Sequence, residues 1–239
     1  TSEGGIKGLW TSFKVAASGK TFLRKVKYSL HMTFDSYDKD VAYKALETAR
    51  EICVEHQGTE IDNSLPTVFR AHPFGGVRTV LLGSDGEIWL PVHGFMPLSK
   101  AVAMGTATEA YFEENKALMD KYNIHSSYLT CFAGTEFVIE PSIYWHDELG
   151  NFRLSLIEDE FAEKWKSIPA DEEKRKVALK LRDGLRDLYD QNGCCHLQLG
   201  KYYPYQELID NDPLKSLLES LKKVLDPEGR MNPGALGLR

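Results

Sequence analysis

Two histidines stand where an imidazole could do chemistry. His196 shares the polar side of a short alternating segment with Gln198, while cysteine and leucine occupy the other side. His93 lies in an extended apolar run between Pro91 and Pro97. A buried imidazole needs a hydrogen-bond partner, and it can exchange a proton near neutral pH. Both are candidate site residues, and the alternative for each is a histidine at a strand end that water solvates.

Arg78 is the third candidate, because a guanidinium can hold a carboxylate or a phenolate through two hydrogen bonds. An arginine on a sheet surface can equally pair with a neighbouring acid. Several aromatic residues could line a pocket, but at strand spacing they are also typical of a core. They are Trp89, Tyr128, Tyr144 and Trp145.

The sequence lacks the motifs of several other kinds of chemistry. The sequence has no nucleophile elbow, no phosphate-binding loop, no dinucleotide fingerprint and no histidine pair at metal-ligand spacing, so we expect no metal site. The cysteines match no zinc pattern, and we interpret all four as buried thiols of a reducing compartment. The adjacent pair Cys194 and Cys195 could instead be redox-active, although neighbours on a strand point to opposite faces.

Composition narrows the class of protein. The 239 residues include 29 Lys and Arg against 35 Asp and Glu, a net charge of −6, which disfavours nucleic-acid binding. No apolar stretch approaches the roughly 18 residues that a membrane span needs, and the first residues have no basic or apolar leader. We therefore expect a cytoplasmic protein without a membrane span.

Hydrophobic periodicity predicts the elements. Residues 24–34 alternate like a half-buried strand, and a helix is expected from Asp38 to a stop at Gly58. Short strands at 67–70, 78–82 and 88–95, separated by glycine turns, are typical of antiparallel hairpins. Ser99 can cap the next helix, whose apolar positions begin with Val102 and Ala103.

The second half continues in the same order. An extended segment covers 127–145, and acids at 171–173 open a helix that Gly193 ends. A strand around Cys195 and a last helix from Pro213 to Leu225 follow. The pattern predicts an α+β fold with a largely antiparallel sheet that helices cover on one face. A parallel, doubly wound sheet is the weaker alternative because no glycine-rich loop joins a strand to a helix.

The C-terminal region carries a resemblance. The segment CHLQLGKYYPY at 195–205, followed by VLDPEGRMNPG at 224–234, resembles the end of the FAD-linked oxidases of the vanillyl-alcohol oxidase and p-cresol methylhydroxylase family. Residues 89–99 resemble that family's strand before a cap-domain helix, and 137–145 resemble a cap strand. The resemblance covers about residues 25–239.

The resemblance implies a division of the chain and a set of site residues. It implies a possible remnant of an FAD-binding domain at 1–24, a substrate or cap domain of ferredoxin-like character at 25–192, and a return to the FAD domain at 193–239. His196 and Asn232 match motif positions that pack near the flavin. His93 lies close to the position of a histidine that holds FAD covalently in some members, displaced by about one residue.

Positions at which the chain departs from the family pattern narrow the class of substrate. Gly193 and Cys194 stand where the phenol oxidases place Tyr and Arg, which argues against a simple phenolic substrate, and the metal motif of the 2-hydroxy-acid branch is missing. The resemblance therefore implies the substrate domain of an FAD-dependent oxidoreductase acting on a small organic substrate, with FAD held mainly by an FAD-binding domain or subunit outside this chain. The isolated chain is expected to be inactive.

The alternative is a solitary α+β binding or scaffolding module without catalytic activity. Its interface would be an apolar patch around the C-terminal motif, and self-association into a homo-oligomer is possible. The predicted members of that patch are Leu197, Leu199, Tyr202, Tyr203 and Tyr205.

Overall fold

The computed structural model describes residues 28–61, 81–208 and 213–238. Internal contacts divide the chain into two units, residues 1–76 and 77–239, and each is described by itself. The predicted strand at 67–70 and almost all of that at 78–82 lie outside the described residues. The domain boundaries that the resemblance implies stay predictions.

The described part of the first unit contains one long helix, α1, Lys39–Glu55. Asp38 caps it by accepting a hydrogen bond from the backbone N–H of Asp40 at 2.8 Å. The chain leaves the helix through Gln57, which has a left-handed φ of 62°, and Gly58 then donates to the carbonyl of Cys53. The predicted helix and its end are confirmed.

The strand predicted at 24–34 is wrong over the residues that are described. Residues 28–34 form no strand, and apolar side chains such as Tyr28 and Leu30 are more than half exposed. Alternation gives a segment two faces, but a strand forms only where a neighbouring backbone completes its hydrogen bonds.

The second unit is built on an antiparallel sheet. The long strand β4, Glu136–Trp145, is central. Strand β3, His125–Ala133, pairs along one edge of it through a two-residue turn in which Gly134 has a φ of 66°. Two short strands, β1 at Ile88–Pro91 and β2 at Gly94–Pro97, pair along the other edge. The predicted α+β class with an antiparallel sheet is confirmed.

Strands β1 and β2 are one predicted strand that is interrupted. Both follow the same register against β4, with Pro91 opposite Ser142 and Gly94 opposite Ile139. Between them, Val92 donates to the carbonyl of Pro141 at 2.9 Å, and Pro141 has no N–H to return the bond. The ladder therefore opens at Val92 and His93.

The predicted turn at residues 83–86 is confirmed, while the first strand of its hairpin is described only at residues 81–82. Leu82 pairs with Ile88 across the turn, and Gly83 donates to the carbonyl of Glu87 at 2.7 Å. Gly86 takes a left-handed φ of 87°, which explains a glycine there.

The strand predicted around Cys195 is reduced to a single antiparallel bridge. Cys195 exchanges two backbone hydrogen bonds with Phe95 on the outer edge of β2, at 2.7 and 2.9 Å. The side chains alternate as predicted from Cys194 to Leu197, with Cys194 and His196 buried and Leu197 57% exposed. Beyond Leu197 the predicted alternation fails, because Gln198 is exposed and Leu199 is half-buried.

Helices complete the second unit. The longest described helix, α6 at Glu172–Gln191, begins after its cap Asp171 and packs on β4 through Ala178, Leu181, Leu185 and Tyr189. In chain order, the helices of the described residues in this unit are α2 Ala101–Glu114, α3 Lys116–Lys121, α4 Asn151–Leu154, α5 Asp159–Trp165, α6 Glu172–Gln191, α7 Tyr205–Leu208 and α8 Pro213–Leu225, with 3-10 turns at Leu98–Lys100 and Ala235–Gly237. Helices α6 and α8 confirm the predicted ones.

The predicted face of α2 is wrong. Val102 is 82% exposed, and the buried positions are Met104 and Thr108. Thr108 reaches inward because its hydroxyl donates to the carbonyl of Met104 and contacts the buried Tyr189 hydroxyl at 3.1 Å. Ser99 does not cap the helix, since it lies inside the preceding 3-10 turn. No helix in the described ranges has the length and apolarity to cross a membrane.

Candidate functional site

The break between β1 and β2 places His93 at a meeting point of three segments. Its side chain is buried, and its Nε2 lies 3.3 Å from a carboxylate oxygen of Glu140 on β4. Its Nδ1 lies 3.0 Å from the hydroxyl of Tyr203, which lies in the C-terminal motif segment at 195–205. Both ring nitrogens of His93 are therefore engaged.

Tyr203 contacts His93 at two points. The backbone N–H of His93 donates to the Tyr203 oxygen at 3.2 Å, so that oxygen already serves as an acceptor. The Tyr203 hydroxyl can also donate to Nδ1, and in that arrangement Nε2–H donates to Glu140. This arrangement leaves neither ring nitrogen of His93 without a partner.

His196 is held in a different way. Its side chain is fully buried, its Nδ1 lies 2.8 Å from the carbonyl oxygen of His93, and its Nε2 lies 2.5 Å from Asp190. A carbonyl oxygen can only accept, so Nδ1 carries a proton. A second proton lies between Nε2 and the carboxylate of Asp190, which stands on the last turn of α6, because two bare acceptors would repel at this distance.

Tyr203 joins the two histidines. Its ring stacks on the imidazole of His196, with centroids 4.0 Å apart and planes 21° apart, while its hydroxyl binds His93. Burial raises the pKa of the Tyr203 phenol, against the opposing effect of the His93 N–H, so the phenol stays protonated. We call these five residues the His93 cluster: His93, Glu140, Asp190, His196 and Tyr203.

A second layer supports the cluster from α6. Tyr202 packs edge-on against Tyr203 and donates to Asp183 at 2.9 Å. The guanidinium of Arg182 lies 4.0 Å from the centre of the Tyr202 ring and also donates to Asp183. Burial would raise the pKa of Asp183, but the hydrogen bonds from Tyr202 and Arg182 outweigh it and lower that pKa. The positive charge of Arg182 and the negative charge of Asp183 therefore pair with each other within this layer.

The predicted site residues are brought together only in part. His93 and His196 meet, whereas Arg78 lies outside the described residues. Asn232 lies in an exposed turn near the C-terminus, with a left-handed φ of 44°, and its carbonyl accepts from Ala235. The terminal turn is tied back to the motif segment through Leu236, which donates to the carbonyl of Gly200 at 2.8 Å.

The Asp-Pro-x-Gly part of the resemblance has a structural role of its own. The carboxylate of Asp226 accepts from the backbone N–H groups of Arg230 and Met231, each at 2.9 Å, and pairs with Lys222. Gly229 has a φ of 63° and donates to the carbonyl of Asp226. The hydrogen bond from Lys222 is the first of the causes that lower the pKa of Asp226. This motif closes α8 with a compact turn.

The aromatic residues proposed for a pocket do not share one face. Trp145 is buried in the core, where its Nε1 donates to Asp147 at 3.2 Å. Tyr144 points to the other side of β4 and stacks on His125. Trp89, opposite Tyr144, donates to Ser142, and Tyr128 donates to Glu109.

The cysteine prediction is correct for only part of the set. All four are free, but only Cys194 is buried, while Cys131 and Cys195 are exposed and Cys53 is half-buried. Burial raises the pKa of the Cys194 thiol to about 11, so it is a poor nucleophile. Cys131 is exposed because β3 is an edge strand, and Cys195 because its segment buries the opposite face.

Sequence reasoning missed three members of the His93 cluster as site residues. Glu140 is found only once the register is known, because it faces His93 across the interruption. Asp190 stands six residues before His196, and the intervening turn at Gly193, φ 67°, brings it back. Tyr203 was assigned to an exposed patch, but it is buried.

Helix N-termini are a common place for a phosphate, and in the two longest described helices they are filled by carboxylates of the chain itself. These helices are α1 and α6, and the carboxylates are those of Asp38 and Asp171. Within residues 28–61, 81–208 and 213–238 no three metal-ligating side chains converge.

The fold and the cluster define an α+β unit with a buried His-Tyr-carboxylate network at the edge of an antiparallel sheet. No protein-family model, no curated protein and no solved structure matches the chain.

Proposed function

We propose that this chain supplies the substrate (cap) domain and C-terminal segment of an FAD-dependent oxidoreductase that oxidises a small organic substrate by hydride transfer to flavin. One observation carries the proposal. His93 and His196 were selected from separate parts of the sequence, 103 residues apart, and the nitrogen of one lies 2.8 Å from the backbone oxygen of the other. The resemblance assigns both to the neighbourhood of the flavin.

The proposal divides the work between this chain and a partner. FAD would be held mainly by an FAD-binding domain or subunit, which is consistent with the acid-capped helices described above. When bound, flavin supplies the hydride acceptor, and the protein supplies orientation, exclusion of water and proton handling. The buried His93 cluster offers fixed donors and acceptors for those tasks.

Covalent attachment of flavin to His93 is a separate hypothesis. Both nitrogens of His93 are hydrogen-bonded, and its side chain is only 5% exposed. A bond from flavin to either nitrogen would displace Tyr203 or Glu140. Acid precipitation of a flavin-containing preparation tests the point, because covalently bound flavin stays with the pellet.

The experiment that tests the function is purification of the tagged full-length protein from its own cells, followed by absorption spectroscopy with and without added FAD. We expect flavin absorbance in the protein or in a complex with an FAD-binding partner. We also expect His196→Asn to perturb the flavin spectrum, whereas His125→Asn, which removes an exposed stacked imidazole on β3, should not. Protein without flavin that gains none on addition of FAD would refute the proposal.

A binding or scaffolding module remains the second candidate, and one observation favours it. The edge strand β3 exposes Leu129 and Phe132 at 65% and 66%, and such a surface is typical of partner binding or self-association. The patch predicted around the C-terminal motif is not continuous, because Tyr203 is buried. Light scattering on the isolated chain discriminates: a monodisperse species without flavin favours the module, and self-association that an FAD-binding partner reverses favours the oxidoreductase.

A further inference from the structure

We infer that Tyr203, His93 and Glu140 form a proton relay, with Tyr203 as the inner end and Glu140 as the outer end. The inference rests on the proposed function and assigns these residues a task within it. Hydride removal from a carbon that bears O–H or N–H leaves a neutral product only if that proton also departs. The relay would carry that proton out of a buried site.

Two contacts make the chain continuous. The Tyr203 hydroxyl lies 3.0 Å from Nδ1 of His93, and Nε2 of the same ring lies 3.3 Å from Glu140. The Glu140 side chain is 21% exposed, whereas His93 and Tyr203 are buried. A proton that enters at Tyr203 therefore reaches solvent through two hydrogen bonds.

The inner end has one acceptor position left. The phenol oxygen of Tyr203 receives the backbone N–H of His93, and with the His93 proton on Nε2 its own proton is donated to Nδ1. A phenol oxygen has a second acceptor position, which an O–H or N–H group of a substrate could occupy.

Atoms and charge balance in the proposed proton transfer. The substrate proton moves to the Tyr203 oxygen as the phenol proton moves to Nδ1 of His93 and the Nε2 proton moves to ionised Glu140. The hydride, with its electron pair, goes to the flavin that the proposed function supplies. Tyr203 and His93 end neutral, and Glu140 gains one proton, which it passes to water.

Asp190 and His196 are positioning residues for this relay. His196 stacks on the Tyr203 ring and also binds the carbonyl of His93, so it holds both inner members together. Asp190 fixes the orientation of the His196 ring from α6. Neither lies between Tyr203 and Glu140.

The first test needs no flavin and reads the proton positions directly. Two-bond nitrogen–proton NMR on histidine-labelled full chain should show His93 protonated at Nε2 and unprotonated at Nδ1. Tyr203→Phe should shift the Nδ1 resonance towards that of an unbonded nitrogen. The matched control Tyr202→Phe removes a neighbouring hydroxyl that donates to Asp183, and it should leave His93 unchanged. Protonation of His93 at Nδ1 overturns the relay.

The second test uses the flavin-containing form and measures anaerobic bleaching of the flavin by benzyl alcohol and benzylamine. Loss of a general acid-base group should slow bleaching by about 10²-fold or more in Tyr203→Phe and Glu140→Gln. The control Tyr128→Phe, which removes a hydroxyl on β3 that donates to Glu109, should bleach like the wild type. Unchanged bleaching in Tyr203→Phe overturns the relay. A protein with no flavin, or one whose flavin neither compound bleaches, overturns its catalytic use, and the NMR result separates that failure from failure of the hydrogen-bond chain.

Discussion

Asp190 holds the imidazole of His196 at 2.5 Å, from a position six residues earlier in the chain. The contact joins the last turn of α6 to the segment that follows it, and it leaves Nδ1 of His196 directed at the carbonyl of His93. One carboxylate thereby fixes the orientation of a fully buried ring on which Tyr203 stacks.

Removing that carboxylate should destabilise the second unit. Asp190→Ala leaves Nε2 of a buried histidine without a partner, which costs about 1–3 kcal/mol. Asp190→Asn should cost less, because an amide oxygen still accepts the Nε2 proton. Urea unfolding measures both, with Asp187→Ala as the matched control on the same helix. Asp187 is half exposed and pairs with Arg186, so its loss should cost about 0–1 kcal/mol. Equal effects of Asp190→Ala and Asp187→Ala would contradict the role of Asp190.

Asp147 should make stability depend on acid pH. It is fully buried and accepts two hydrogen bonds from Arg175, one from Trp145 and backbone bonds from Glu148 and Asp171. Burial alone would raise the pKa of Asp147, but these donors lower it to about 2. A depressed carboxyl pKa contributes stability above its unfolded value of about 3.9, and the contribution is lost as the pH falls through about 2.

The measurement is the free energy of unfolding in urea from about pH 5 to about pH 2. We expect a loss of at most roughly 2 kcal/mol from Asp147, reduced by solvent around the half-exposed Arg175. Asp147→Asn should be less stable at neutral pH. Its free energy of unfolding should also change less than that of the wild type as the pH falls. Asp120→Asn, on the exposed side of α3, should keep the wild-type slope. If the free energy of unfolding of Asp147→Asn depended on pH as steeply as that of the wild type, Asp147 would not be the source of the acid sensitivity.

Two helical glycines should respond oppositely to alanine. A Cβ at Gly184 would stand 2.3 Å from the hydroxyl of Tyr111, which donates to the carbonyl of Leu181. A Cβ at Gly105 would meet nothing within 4 Å. Gly105→Ala should therefore stabilise by about 0.5–1 kcal/mol through helix propensity. Gly184→Ala should destabilise by about 1 kcal/mol or more, because the displaced hydroxyl loses its bond. Thermal unfolding measures both, and a stabilising Gly184→Ala would refute the close packing of Tyr111.

Sequence reasoning succeeded where local pattern decides the structure. The helices α1, α6 and α8 follow from the 3.6-residue period and from start residues such as Asp38 and Asp171, whose side chains cap their own helices. It failed where the outcome depends on distant partners. The pattern at 24–34 resembles a strand, yet residues 28–34 have no ladder, and Val102 points to solvent because α6 meets α2 from the other side.

The candidate site shows the same limit. Motif and context singled out His93 and His196, but Glu140 could be added only with the register of β4 and the gap that Pro141 opens. Asn232 matched a motif position and lies in an exposed turn, because Asp226 and Gly229 use that motif to close α8. A sequence motif specifies which residues recur together, and it does not distinguish a turn-forming set from a ligand-binding one.

The adjacent cysteines should differ sharply in reactivity. Cys195 is exposed, whereas the Cys194 thiol is buried against α6 and burial raises its pKa to about 11. Because the thiolate is the reactive form, a thiol reagent such as DTNB should label Cys195 and Cys131 quickly in the native chain and Cys194 only after unfolding. Cys195→Ser should remove one fast-reacting thiol, while Cys194→Ser should remove none. Fast labelling of Cys194 in native protein would show that the segment carrying His196 opens readily, and the His93 cluster could not then be a rigid network.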